Sequence, residues 1–323
     1  MYRLAIIPTV LAVGASAAVK IERTSYQGWP NCYRISNGVV EAMVTGDVGP
    51  RIIRYGFVGG QNLFKEFKEQ LGKAGEPEWR VRGGHRVWIA PEDPVKSYAP
   101  DNGPVRIEVR GDAIEMTEPV EALTGLEKKI TLRMDASGTG VEVTHQIRNA
   151  GRQPYEFAVW ALTMMAQGGA AIHGFPPRGH HPQDLQPTNP LTMWPYTNLA
   201  DSRLKLLQKY LVLRQDPRNT GDSEKLGSYG RDVWGAYLLN GDLFVKQAHA
   251  EAAPPAYPDF GCNFETYTDA DFLELETLGP IRRVASGETA AHTERWSLHK
   301  NIHIRKWDDA ELDRVLLPLV SER

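Results

Sequence analysis

Two glutamates near the end of the chain have the spacing of a carboxylate pair on one face of a β-strand. Glu274 and Glu276 alternate with two leucines, so a strand here turns both carboxylates to the same side. Their Cα atoms would lie about 6.6 Å apart. If that face is partly buried, desolvation and mutual repulsion raise one of the two pKa values and make a usable general acid or base. A fully solvated face is the alternative.

A second concentration of polar groups follows the glycine pair Gly83 and Gly84. His85, Arg86 and Trp88 supply an imidazole, a guanidinium and an indole within four residues. Strict strand alternation puts Arg86 and Trp88 on one face and His85 on the other, unless the glycines form a bulge. A ligand-binding role competes with a purely structural one, in which the arginine stacks on the tryptophan and the histidine is hydrogen-bonded in the core.

Familiar catalytic and metal-binding motifs are absent from the sequence. It has no G-x-S-x-G elbow, no phosphate-binding Gly-rich loop with Lys-Ser/Thr, and no H-E-x-x-H. His299 and His303 lie in a strand-like segment that directs them to no common metal. Cys32 and Cys262 are too far apart to indicate a metal site, and they are either two buried thiols or a disulfide. We therefore predict no metal and no cofactor.

Strands must position these groups, because alternating patterns dominate the chain. Residues 104–165 and 229–298 alternate apolar and polar side chains between Gly- and Asn-containing turns, which is typical of an antiparallel sandwich. Between them, residues 173–200 contain six prolines and His180-His181. Such a segment cannot form a central strand or a helix, so it predicts a long loop inserted in the domain. It is either a lid over a binding site or exposed polar surface.

Helix is predicted to be scarce and short. Asp308–Leu317 is the best candidate, with acidic residues in its first turn and apolar residues spaced for one face. Asp201–Tyr210 is a second candidate, although a strand can begin at Tyr210. Asn62–Gly72 has room for a short helix.

Charge and the N-terminus limit the function classes and the compartment. The 323 residues include 37 Lys or Arg and 40 Asp or Glu, for a net charge of −3 without a basic block, which excludes nucleic-acid binding. Residues 1–17 resemble a cleavable signal peptide, with Arg3, an apolar stretch at Leu4–Val13 and Ala-Ser-Ala. That stretch is too short for a stable membrane span. We predict an exported protein, periplasmic or secreted, with one domain over 18–323 and an oligomeric state left open.

Several motifs resemble a known superfamily. They are Val48–Ile53, Gln61–Phe64, Gly84-His85, Leu275-Glu276-Thr277, Gly287-Glu288 and His292–Trp296. These segments are similar to the opening hairpin and closing strands of the galactose mutarotase-like proteins (aldose 1-epimerases). Gly83–Glu92, Glu274–Pro280, Lys225–Gly227 and Phe244–Lys246 resemble, more closely still, an uncharacterised domain family of exported bacterial proteins with that fold.

The resemblance covers roughly residues 30–300 and implies an all-β fold, an antiparallel β-supersandwich with few short helices. It implies that a sugar binds on the concave face of the larger sheet and that Glu276 is the catalytic base. The mutarotases also carry a histidine as general acid on a central strand, but the matching stretch Phe157–Gln167 contains none. His85, His180 and His181 are the remaining histidine candidates for the acid.

We therefore predict a carbohydrate-binding protein, acting as an enzyme by proton transfer on a sugar in the manner of a mutarotase or epimerase. The predicted catalytic residues are Glu276 and His85, and the predicted substrate-binding residues are Arg86, Trp88, Glu92, Lys246, Glu274 and His181. A non-catalytic sugar-binding protein is one alternative. A polysaccharide lyase acting on a uronate-containing glycan is another, because proton abstraction beside a carboxylate needs a base and a cationic clamp such as Arg86 and Lys246.

Overall fold

Strands are the main regular structure of the chain, as the alternating sequence predicts. The computed structural model describes residues 18–320, so the predicted signal peptide at 1–17 lies outside the described residues. In chain order the strands are β1 (Lys20–Tyr26), β2 (Trp29–Ser36), β3 (Val40–Thr45), β4 (Ile52–Phe57), β5 (His85–Ala90), β6 (Arg106–Arg110), β7 (Ala113–Thr117), β8 (Leu126–Met134), β9 (Val141–Asn149), β10 (Tyr155–Met165), β11 (Ala170–Gly174), β12 (Leu191–Met193), β13 (Leu204–Leu206), β14 (Tyr210–Arg214), β15 (Glu224–Ser228), β16 (Asp232–Leu239), β17 (Asp242–His249), β18 (Phe264–Thr268), β19 (Leu273–Leu278), β20 (Arg282–Val284) and β21 (Thr289–His299).

These strands form two antiparallel sheets. The first sheet has eleven strands in the order β1-β2-β3-β4-β5-β10-β19-β18-β15-β12, with β20 also paired to β10. The second sheet has ten strands in the order β13-β14-β11-β16-β17-β21-β9-β8-β7-β6. The predicted fold class, all-β with two antiparallel sheets and few helices, is confirmed.

The register of the central strands of the first sheet brings distant residues together. Leu162 on β10 pairs with Arg86 on β5 at one side and with Glu276 on β19 at the other. Glu276 in turn pairs with Glu265 on β18. The two polar segments singled out in the sequence therefore lie two strands apart, although about 190 residues separate them along the chain.

The main core lies between the sheets and draws on both of them. Its centre contains four aromatic side chains in mutual contact, with ring centroids 5.5 to 6.1 Å apart: Tyr55, Phe64, Phe244 and Trp296. Apolar residues that alternate along the strands, such as Leu273 and Leu275, point into this core. Side chains at the alternate positions of these strands point to the opposite face of the first sheet. There Trp88, Trp160 and Leu278 belong to a separate apolar cluster. We call this opposite face the outer face.

Of the helices predicted from the sequence, the C-terminal one is present in the structure and the one at 201–210 is not. Besides two 3-10 turns at Lys68–Gln70 and Pro254–Ala256, the chain forms a single turn α1 (Pro258–Gly261) and the helix α2 (Asp309–Val320). The predicted helix at the C-terminal end is confirmed, and Leu312 and Leu316 pack it against the second sheet. The helix predicted at 201–210 is wrong, because this segment contributes β13 and the start of β14, whose pairing overrides local helix propensity. No helix in the described residues is long and apolar enough to cross a membrane.

The Pro-rich segment 173–200 is mostly irregular. Its first residues end β11, and its only other strand is the three-residue edge strand β12, a position where neighbouring prolines are tolerated. Cys32 and Cys262 are both buried and unbonded to each other, so the disulfide alternative is not realised. The extent of the domain, 18–323, stays a prediction.

Candidate functional site

The strand β5 starts directly after two glycines that no other residue could replace without strain. Gly83 and Gly84 have φ angles of 82° and 73°, and a Cβ on them would lie 2.1 Å and 2.5 Å from backbone oxygens of neighbouring segments. From this turn onward the side chains alternate as predicted. Arg86 and Trp88 point to the outer face, and His85 points into the space between the sheets.

His85 therefore does not share a site with Glu276, and its prediction as a catalytic partner is corrected. Its Nε2 lies 2.6 Å from Nε2 of His145 on the second sheet, and its Nδ1 lies 2.8 Å from Oγ1 of Thr163. Glu276 is on the outer face of the same sheet, where Trp160 contacts it. Alternation separates the two side chains, and the sequence alone did not say which face was the interior.

His85 belongs to a buried chain of hydrogen bonds that we call the interior network. Its members are His85, His145, His292, Thr277, Glu294 and Lys246. His145 donates from Nδ1 to the carbonyl of His292 at 3.0 Å, so its Nε2 must accept the proton of His85. The carboxylate of Glu294 can only accept from Thr277, and the hydroxyl of Thr277 in turn accepts from Nε2 of His292 at 2.7 Å.

Lys246 completes this network, so its prediction as a sugar-binding residue is also corrected. It lies on β17 of the second sheet with its side chain pointing inward and fully buried. Its ammonium pairs with Oε1 of Glu294 at 2.8 Å and donates to the carbonyls of Ala161 and Leu275 at 3.2 and 3.0 Å. Trp296 donates to the other oxygen of Glu294 at 2.9 Å.

Part of the interior network has the composition of a metal site. Ligand atoms of His85, His145 and Glu294 lie within 4.8 Å of one another, and two imidazoles with a carboxylate are a donor set that Zn²⁺ accepts. Burial lowers the pKa of all three histidines in the network, to about 3 for His145 and His292, which keeps the imidazoles neutral. An ion there would have to break the His85–His145 hydrogen bond and compete with Lys246 for the carboxylate.

Glu276 lies on the outer face in a different environment. Its Oε2 accepts a hydrogen bond from Nε1 of Trp160 at 2.8 Å and lies 3.3 Å from the ammonium of Lys225. Its Oε1 is buried and has no hydrogen-bond partner. A buried carboxylate oxygen without a donor is costly to the folded state.

Four further charged residues surround Glu276, and with it and Trp160 they form what we call the outer-face cluster: Arg86, Lys225, Glu265, Glu274, Glu276 and Trp160. Lys225 also pairs with Glu265 at 2.8 Å, and its ammonium lies 4.7 Å from the ring centroid of Trp160. Burial outweighs the pairing and raises the pKa of Glu265 above its usual range.

The outer-face cluster raises the pKa of Glu274 into the neutral range. Burial, and then repulsion from Glu276, raise its pKa from 4.5 to about 8, against the opposing charge of Arg86. The guanidinium of Arg86 is 3.5 Å from Glu274, a long contact for an ion pair. Glu274 is therefore largely protonated at neutral pH and can donate a proton, which is one of the two roles that acid–base chemistry requires.

Aromatic side chains cover the cluster at the β5 end. Trp88 is buried beneath Trp79 and Tyr98, with ring centroids 5.5 and 4.9 Å away, and the guanidinium of Arg86 lies 4.1 Å from the ring centroid of Trp88. Glu92 is exposed at the border of this group and accepts a hydrogen bond from the hydroxyl of Tyr98 at 2.5 Å. The roles of Trp88 and Glu92 in sugar binding stay predictions.

The Pro-rich segment covers the cluster at the β15 end. Trp194 lies 4.6 Å from the ammonium of Lys225, and Thr197 anchors the segment by donating to the carbonyl of Lys225 at 2.5 Å. Burial raises the pKa of Tyr196, on which the charges of Lys225 and Glu276 also act. His181 is exposed in the same segment, and its predicted role stays a prediction.

Sequence reasoning did not assign Lys225, Trp160 or Glu265 to the site. The strand of Glu265 alternates, and Glu265 faces the same side as Tyr267 in Phe264–Thr268. The strand of Trp160 is instead a continuous apolar run, in which alternation does not separate the two faces. The missing information was the order of the strands. Only the pairing β10-β19-β18-β15 puts these side chains beside Glu276.

Comparison with known proteins identifies the fold. No protein-family model matches the chain, and no curated protein matches it in sequence. A candidate aldose 1-epimerase from Klebsiella pneumoniae subsp. pneumoniae superposes with a TM-score of 0.58 at 12% identity, over 92% of this chain and 85% of that one. Galactose mutarotase-like proteins from Clostridium acetobutylicum and Lactobacillus casei superpose with TM-scores of 0.53 and 0.52, each at 10% identity, over 88% and 83% of this chain and 99% and 100% of theirs. The predicted galactose mutarotase-like fold is confirmed.

Proposed function

We propose that the outer-face cluster binds a sugar and that the protein is an enzyme that moves protons at the anomeric centre of that sugar, with Glu276 as the base. The unpartnered Oε1 of Glu276 is the observation that carries the proposal, because it is a buried acceptor that lacks a donor. The fold adds support, since the neighbours with this fold include proteins described as mutarotase-like and as a candidate aldose 1-epimerase. We also propose export, on the signal-like sequence of residues 1–17.

The chemistry requires one group that accepts a proton and one that donates. Glu276 takes the proton of the anomeric hydroxyl on Oε1, while Trp160 and Lys225 hold its other oxygen in place. Glu274, whose pKa of about 8 keeps it protonated at neutral pH, gives its proton to the ring oxygen as the bond from that oxygen to the anomeric carbon breaks. The open-chain aldehyde rotates, and the reverse transfers close the ring as the other anomer and restore both carboxyl groups.

A non-catalytic sugar-binding protein is the second candidate, and one observation favours it. Among the described residues, no histidine is a member of the outer-face cluster. The acid would therefore be a carboxyl group, whereas the resemblance to the mutarotases implies an imidazole. The lyase alternative loses part of its support, because Lys246 lies in the interior network and cannot act with Arg86 as a clamp.

The test combines binding and exchange. Sugars that raise the melting temperature of the full chain are identified first, and the interconversion of their anomers is then followed by NMR. Glu276→Gln keeps the shape of the side chain and removes the proton acceptor, so turnover falls by about 10²–10⁴-fold while binding changes much less. Glu142→Gln, at an exposed position of the second sheet, is the matched control and leaves turnover unchanged. Full turnover in Glu276→Gln contradicts the base assignment, and binding without turnover in the wild type favours the second candidate.

A further inference from the structure

We propose that the sugar recognised by the outer-face cluster carries a carboxylate, as a uronic acid does, and that Arg86 binds this carboxylate. The inference rests on the proposed function and names the substrate class of the same site. It comes from an imbalance of hydrogen-bond donors and acceptors among buried groups at one end of the cluster.

Arg86 is a buried guanidinium with poor partners. Only 3% of the residue is exposed, and its shortest contacts are 3.4 Å to the carbonyl of Val81, 3.5 Å to Glu274 and 3.9 Å to the sulfur of Met164. Its Nε has no partner. A charged group that has lost its water normally makes short, charge-assisted hydrogen bonds, at about 2.7–2.9 Å.

Two other buried arginines in the same part of the fold show what the chain does when an arginine is structural. Arg51 makes 2.6 Å bonds to Asp101 and to the carbonyl of Gly83. Arg82 donates to Asn102 at 2.9 Å and to the carbonyl of Lys73 at 2.7 Å, and it pairs with Glu76. Arg86 has no such short bonds, although it is buried to a similar extent. An Nε without a partner is common to Arg51 and Arg86, so the missing short bonds are what set Arg86 apart.

Trp79 supplies a second unsatisfied donor beside Arg86. Its indole nitrogen is buried without a partner, and its ring centroid lies 5.2 Å from the guanidinium carbon of Arg86. This end of the cluster therefore offers two donors to a ligand, whereas Oε1 of Glu276 offers an acceptor. A ligand that satisfies both needs acceptor oxygens for the two donors and a hydroxyl for Glu276 on the same molecule, and a uronic acid has both.

The charges of Arg86 and Glu274 also favour an anionic ligand. Glu274 is the carboxyl nearest to Arg86, and its raised pKa leaves it largely neutral at pH 7, so the guanidinium is without a full counter-ion. The guanidinium carbon of Arg86 lies over the ring of Trp88, 4.1 Å from its centroid. A planar carboxylate matches the guanidinium fork with two parallel hydrogen bonds.

The experiment compares ligands on the unmodified full chain first. Galacturonate and glucuronate are titrated by calorimetry against their methyl esters, against the neutral parent sugars and against sulfated sugars. The free acids should bind about 10- to 100-fold more tightly than the esters, because only the acids form the charge-assisted pair. Arg86→Gln should remove this preference, Trp79→Phe should reduce it, and Arg80→Gln, an exposed arginine of the same segment, should leave it intact.

Each outcome has a distinct meaning. Esters or neutral sugars binding as tightly as the acids, with turnover still dependent on Glu276, overturn the inference and leave the proposed function standing. Sulfated sugars binding as tightly as uronates overturn the carboxylate assignment. Uronate binding that depends on Arg86 while Glu276→Gln keeps full turnover overturns the proposed function alone, and binding of no sugar overturns both. If Arg86→Gln fails to fold, the comparison of acid with ester on the wild type and on Trp79→Phe decides the matter.

Discussion

The interior network and the outer-face cluster lie back to back on β5, β10 and β19, and both bury charged groups. They differ in whether all of their buried polar atoms have hydrogen-bond partners. In the interior network every carboxylate oxygen of Glu294 has a donor, and the proton positions on His145, His292 and Thr277 follow from their partners. In the outer-face cluster, Oε1 of Glu276 and Nε of Arg86 are buried without partners.

That difference separates a structural role from a functional one. A closed network stabilises the folded state, and each bond that is lost leaves a buried group unsatisfied. An open cluster is costly to the fold and is understandable when a ligand supplies the missing partners. We therefore infer that the interior network holds the two sheets together, and the difference supports the proposal that the outer-face cluster binds the sugar.

The largest effect on stability should come from breaking the interior ion pair. Lys246→Met leaves the carboxylate of Glu294 buried without its cation, so the free energy of unfolding should fall by about 3–5 kcal/mol, measured by urea denaturation. The matched control is Lys209→Met. It removes an ion pair to Asp313 at the surface, where solvent screens the charges and the pair contributes little to stability. If Lys246→Met lowers the free energy of unfolding as little as the control does, the structural role of the interior network is contradicted.

The pH dependence of stability should carry opposite signs for the two regions. The folded pKa values of His145 and His292 are about 3, below their ordinary 6.5, so the unfolded chain binds protons that the folded chain does not. Stability should therefore fall as the pH is lowered from 6.5 towards 3, by at most about 1.4 kcal/mol per pH unit for each histidine. Glu274 acts the other way, because its folded pKa of about 8 exceeds its ordinary 4.5. Its contribution is present below pH 4.5 and is lost as the pH rises through 8.

Glu274→Gln tests this assignment. Denaturation curves at a series of pH values should show a shallower loss of stability between pH 4.5 and 8 in the variant, because one titrating group of the outer face has been removed. The acid side of the profile should be the same as in the wild type, since the interior histidines are unchanged. An unchanged slope between pH 4.5 and 8 would show that Glu274 is not protonated in the folded protein at neutral pH.

The sequence predicts which side chains share a face of a strand. It does not predict which of the two faces points to the interior. Alternation correctly placed Glu274 with Glu276, and Arg86 with Trp88 opposite His85. Period-two patterns say which side chains share a face, but both faces of this sheet are buried. The hydrophobic pattern therefore did not distinguish the interior from the outer face.

Long-range pairing was the other information that the sequence lacked. Lys246 is a cation in a strand-like segment, and nothing local shows that Glu294 is its partner on the neighbouring strand of the second sheet. Lys225 and Trp160 reach Glu276 only because β15 and β10 flank β18 and β19. The segment 201–210 has helical composition, yet its pairing with the second sheet makes it extended.

Neighbouring residues 276 and 277 give the most direct test, because their side chains point to opposite faces of β19. Turnover on an identified sugar and the free energy of unfolding are measured together for Glu276→Gln and Thr277→Val. We predict that Glu276→Gln loses about 10²–10⁴-fold in turnover. Thr277→Val should lose about 1–3 kcal/mol of stability, because His292 and Glu294 are left without the hydroxyl, and should keep its turnover. The reverse pattern, with turnover lost in Thr277→Val and retained in Glu276→Gln, would contradict the assignment of the outer face as the functional site.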